Sequence, residues 1–87
     1  MPRLSAFYGI VITMYWDEAH HRRPHFHARY GGRRASVAFD GEVLFGQLPR
    51  PVHRRVVEWA RLHRDELEAN WVRARAGQSL EAIDPLP

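Results

Sequence analysis

The densest chemistry in this chain lies between Asp17 and His27. The run Asp17-Glu18-Ala19-His20-His21-Arg22-Arg23-Pro24-His25-Phe26-His27 holds four of the six histidines and two carboxylates. On an extended strand His25 and His27 project to the same side, their bases ~6.5–7 Å apart. Two imidazoles so spaced can converge on one metal ion, each offering a nitrogen at ~2.0–2.1 Å for zinc. His20, His21, Asp17 or Glu18 could fold over from the connecting segment as a further ligand. Imidazole with carboxylate suits zinc, nickel, copper or ferrous iron, and no spacing rule chooses among them. A bare His-x-His is common; the upstream His pair and acids make this one more specific. The plainer alternative is a solvated strand face whose imidazoles hydrogen-bond to their neighbours.

The same row supports a second chemistry. Cleavage of RNA needs a base for the 2′-hydroxyl, an acid for the leaving oxygen and a cation for the phosphorane. His25, His27 and Arg29 supply those types on one strand face, and Arg22, Arg23, Arg33 and Arg34 could hold flanking phosphates. This alternative is a metal-independent ribonuclease.

Strands must position these residues. Phe7 to Trp16 is rich in Ile, Val, Thr, Tyr and Trp and reads as one strand, with Tyr8, Ile10, Ile12, Met14 and Trp16 on the core face. His25 to Tyr30 alternates, placing Phe26, Ala28 and Tyr30 inward and His25, His27 and Arg29 outward. Gly31-Gly32 makes a turn. Arg34 to Phe39 follows with Ala35, Val37 and Phe39 inward, and Asp40-Gly41 leads into a short strand from Glu42 to Phe45. Phe7, Val11 and Tyr15 then form an apolar strip on the outer face, which predicts a cover there, a second copy of the chain being one candidate.

The period changes after Pro51. No Gly or Pro interrupts 52–76, and Val52, Val56, Trp59, Ala60, Leu67, Trp71 and Ala74 fall in one helical stripe. Arg54–Glu58 and Arg61–Asp65 are spaced as i,i+4 ion pairs. A helix of that length would run ~39 Å, which predicts an overhang or a break near His63 to Glu66. His63 and Asn70 sit within and beside the apolar stripe and are expected to be a half-buried structural pair, bonded to sheet backbone or Tyr hydroxyls. Leu80, Ile83 and Leu86 should lay the tail over the surface. The expected fold is α+β: a small antiparallel meander of three to four strands (1–46), one long helix across one face (50–76) and a tail (77–87), in a single domain.

Composition sets the outer limits. With 45% hydrophobic and 11% aromatic residues the chain can fold, and the absence of cysteine excludes a disulfide scaffold, a thiolate nucleophile and Cys-ligated zinc. Thirteen arginines and no lysine stand against ten acids; residues 1–55 carry nine Arg and four acids, a balance that admits nucleic acid or phosphate as a partner. The 13 residues from Leu4 to Trp16 are too few to span a membrane, which needs ~20, so a soluble cytoplasmic protein is expected.

Ser5-Ala6-Phe7-Tyr8-Gly9-Ile10, Met14-Tyr15-Trp16, Pro24-His25-Phe26-His27-Ala28, Gly46-Gln47-Leu48-Pro49, Trp59-Ala60-Arg61-Leu62-His63, Glu66-Leu67 with Asn70-Trp71, and Ile83-Asp84-Pro85-Leu86 resemble the small bacterial family called domain of unknown function 4160. Many of its members carry Pro-Pro where Arg23-Pro24 stands here. The resemblance implies no established reaction. It does imply a neighbouring-gene protein partner, of the type called domain of unknown function 2442, in a toxin–antitoxin-like arrangement, with nucleic acid as a further partner. Its motif positions fall on His25, Phe26, His27, His63, Asn70 and Trp71. The leading expectation is therefore a metal-binding component of such a pair, with the ribonuclease and a non-catalytic protein–protein adaptor as alternatives.

Overall fold

A computed structural model describes residues 3–16 and 23–87 of the 87. Five strands, β1 (Arg3–Phe7), β2 (Ile10–Thr13), β3 (His25–Tyr30), β4 (Arg33–Ala38) and β5 (Val43–Gly46), precede two helices, α1 (Arg50–Leu62) and α2 (Arg64–Arg75). The strands pair antiparallel in sequence order, a meander without crossovers. The α+β class and the antiparallel sheet are as expected, but five strands and two helices replace three to four strands and one long helix.

The extra strand comes from the apolar opening segment, which is two strands and not one. Tyr8 and Gly9 both take positive φ (51° and 78°) and turn the chain so that Phe7 pairs with Ile10. This pair of left-handed residues matches the right-handed twist of the flanking strands. Two assignments change with it. Tyr8 is an exposed turn residue, not a core one, and Phe7 is buried on the core side against Trp59, not part of an outer strip.

Elsewhere the inward alternation holds except at Tyr30. Ile10, Ile12, Met14, Phe26, Ala28, Ala35, Val37 and Phe39 are buried together with Val56, Trp59, Ala60 and Leu67 of the helices. Tyr30, at the end of β3, is exposed. Trp59 is the centre of this layer: Phe7 and Phe26 meet its ring at 5.6 and 5.5 Å. The helical stripe breaks at His63, whose φ of −117° leaves the helical region; the break lies where excess length predicted one. It also separates Arg61 from Asp65, and the i,i+4 ion pair that forms is Arg64–Glu68 rather than either expected pair.

The tail closes the core as its apolar spacing predicts. Ile83 and Leu86 are buried and Leu80, partly buried, packs against the core. Three tail carbonyls accept hydrogen bonds: Glu81 from Asn70 Nδ2, Asp84 from Trp59 Nε1 and Pro87 from Tyr8 Oη. The Ile83 amide donates to the Leu4 carbonyl on the outer edge of β1, so the tail covers one edge of the sheet. Among the described residues no helix is long and apolar enough to cross a membrane.

Candidate functional site

The uninterrupted β2–β3 and β3–β4 registers fix which face each side chain takes. His27 lies opposite Thr13 on one side and Ser36 on the other, and Ser36 lies opposite Phe45. A straight row, Thr13–His27–Ser36–Phe45, therefore crosses the face turned away from the helices. Arg29 occupies the next outward position on β3, between Val11 and Arg34.

His25 and His27 come together as the spacing predicts, their ring centroids 5.1 Å apart at 78°. Two imidazoles sharing one tetrahedral ion, with nitrogens at ~2.0–2.1 Å, hold their centroids at about this separation. Tyr15 stacks on the His27 ring at 4.7 Å, almost parallel. His25 differs from its neighbour: only 6% of it is exposed, and its ring also meets Trp71 at 5.4 Å. It stands at the end of the sheet, between the outer row and the helical layer.

The tautomer of its neutral ring has a structural cause. His25 Nδ1 lies 2.8 Å from the Arg23 carbonyl oxygen. A carbonyl only accepts, so in the neutral ring Nδ1 carries the proton and Nε2 keeps its lone pair. This is how metal-binding histidines are commonly oriented, the non-ligating N–H being held by a second group.

Arg23 is itself held. Its guanidinium donates to Glu42 Oε1 at 2.8 Å and to Asp40 Oδ2 at 2.9 Å, tying the start of β3 to the β4–β5 turn. The hydrogen bond to Glu42, with the charges of Glu42 and Asp40, holds Arg23 above its ordinary pKa. Asp40 is held below its own, first by the Glu42 amide at its Oδ1 (2.9 Å) and then by Arg23. This turn docks on α1, where His53 Nε2 donates to the Gly41 carbonyl at 2.8 Å. A Cβ at Gly41 would approach Val57 to 2.7 Å, so only glycine fits.

Asp17, Glu18, His20 and His21, proposed as further ligands from sequence, lie outside the described residues, as does Arg22. Among the described residues no three His, Asp or Glu side chains cluster as a metal site. His63 does not join the pair. Its Nδ1 meets Glu66 Oε1 at 2.6 Å and its ring lies on Trp59. Asn70, only 1% exposed, binds the tail instead of sheet backbone or a Tyr hydroxyl. Its Oδ1 accepts from the Glu81 amide and from Arg73, and its Nδ2 donates to the Glu81 carbonyl.

Sequence reasoning missed the Arg23–Asp40–Glu42 clamp and the seat of His25 on Trp71.

A family model described as Domain of unknown function (DUF4160) matches residues 9–72, most of the chain. No curated protein matches, and no solved structure does.

Proposed function

The chain belongs to the family described as domain of unknown function 4160, and from that premise we propose that it is the metal-binding member of a two-gene, toxin–antitoxin-like pair in the bacterial cytoplasm. His25 and His27 hold a divalent ion of the zinc, nickel, copper or ferrous class, and Asp17, Glu18, His20 and His21 are the nearest donors in sequence to complete its shell. One observation carries this reading: His25 is fixed with its Nδ1 proton on the Arg23 carbonyl and its ring 5.1 Å from His27. Neutral imidazole with a free lone pair is the ligand form. The ribonuclease alternative through His25, His27 and Arg29 is less well supported, because a base wedged against Trp71 and nearly enclosed has little access to a ribose hydroxyl.

The test is metal content by mass spectrometry on untagged protein, wild type beside His25→Ala/His27→Ala, with circular dichroism to verify folding. Near-stoichiometric metal in the wild type, lost in a folded double variant, is the expected result. Wild type that arrives metal-free and takes up no zinc, nickel or copper on titration overturns the proposal.

A further inference from the structure

The outer face of the sheet carries a groove that runs past His27 of the proposed metal pair and extends well beyond it. A cavity of about 410 Å³ crosses it, from Arg3 on β1 to Phe45 and Gly46 on β5, within the ~300–1,000 Å³ range of small-ligand sites. Four interstrand steps at ~4.8 Å make that crossing ~19 Å. Among the described residues the lining contains arginines and no acid.

Arg29 and Arg34 sit directly opposite each other in register, an arrangement that like charges destabilise. Both are exposed, and among the described residues neither makes an ion pair. Two guanidinia side by side on one face suit an anion that takes both, and a phosphate does so.

The rest of the lining narrows the class. At the rim stands Phe45, 69% exposed, on a strand whose four residues carry no charge. A flat exposed ring beside paired arginines suits a base and its phosphate. The middle of the groove is polar, with the Thr13 and Ser36 hydroxyls flanking His27. An apolar helix of a protein partner would strand those groups, whereas a ribose 2′-hydroxyl matches them. We infer that this groove binds single-stranded RNA, two or three nucleotides across the sheet, with Arg29 and Arg34 on phosphate and Phe45 stacking a base. Exposed sheet faces with aromatics take RNA in this manner in other folds.

The inference does not depend on a metal, so it is tested in excess chelator, by fluorescence anisotropy of a labelled eight-nucleotide oligouridine. Binding should weaken ten- to a hundredfold in Arg29→Ser/Arg34→Ser, with the salt slope falling by about 1.4, as expected for two lost phosphate contacts. Phe45→Ala should weaken it about tenfold and leave the slope unchanged. Arg54→Ser/Arg61→Ser, exposed on α1, removes the same charge elsewhere and should change affinity less than twofold. All variants alter exposed side chains, and circular dichroism verifies that each is folded. Unchanged binding in the Arg29/Arg34 variant overturns the inference, as does an equal loss in the Arg54/Arg61 variant. Equal affinity for the matching DNA overturns the assignment to RNA. Displacement of RNA by polyglutamate at equal charge assigns the face to an acidic protein partner instead.

Discussion

The two faces of this sheet are built from alternate residues of the same strands, yet they have opposite characters. Inward, Ile10, Ile12, Met14, Phe26, Ala28 and Val37 meet Trp59 and the helices, and polar groups at the layer's edge are bonded to the tail. Outward, Val11, Thr13, His27, Arg29, Arg34 and Ser36 line a groove on the face turned away from the described helices. A single-residue alternation thus separates groups that fill the core from groups that line the outer groove. Substitutions on the two faces should therefore separate as well: inner ones read out as melting, outer ones as binding.

The largest effect belongs to Trp59→Ala. It removes the ring that Phe7 and Phe26 pack against and leaves the Asp84 carbonyl without its donor. A loss of about 3–5 kcal/mol is expected, a large share of the ~5–15 kcal/mol that small domains have. Urea denaturation measures it; a loss below about 1 kcal/mol would break the division between the faces. Asn70→Ala comes next. It deletes two hydrogen bonds to the tail and one from Arg73 on α2, and a loss of about 2 kcal/mol is expected. Hydrogen exchange at the Glu81 amide sharpens the point, since that protection should vanish while protection in β3 persists. If Glu81 stays protected, the tail is held by Ile83 and Leu86 alone.

Most of this division is legible in the sequence, because alternation and helical period report burial directly. Ile10, Ile12 and Met14 inward, His27 and Arg29 outward, and the break near His63 all follow from spacing. The turn at Tyr8-Gly9 does not, since the β-branched and aromatic residues continue on both sides of it and Gly9 is the only punctuation. Propensity cannot distinguish one long strand from two that fold back. The partners of Asn70 and His63 were equally out of reach. Asn70 is satisfied by tail backbone eleven residues away, a tertiary contact no local pattern encodes. His63 turns to Glu66 because the helix breaks beneath it. At the candidate site the His25/His27 pairing was readable and its support was not, for Arg23 reaches Asp40 and Glu42 only once β3, β4 and β5 are assembled.

That support gives the smallest predicted effect and the sharpest one. Arg23→Ala keeps the carbonyl that orients His25 but releases the segment bearing it, so metal affinity should fall about tenfold with little change in melting temperature. The dependence on pH separates the two roles. The folded pKa of Asp40 is depressed, so its stabilising contribution is complete above the ordinary carboxylate value of 3.8 and is lost only as pH falls through the lower folded one. Metal binding requires neutral imidazole, so metal retention in the wild type should fall on acidification, while the clamp, followed by carbon-detected NMR at the Asp40 carboxyl, stays closed until the pH falls through the depressed Asp40 value. In Arg23→Ala the Asp40 pKa should rise but stop short of its ordinary value, because the Glu42 amide is the larger cause of the depression. Metal release that follows Asp40 rather than the histidines would place the clamp in control of the site. Unchanged affinity in Arg23→Ala would make the clamp purely a fastening of the β4–β5 turn, with His25 held in place by Trp71 and its own strand.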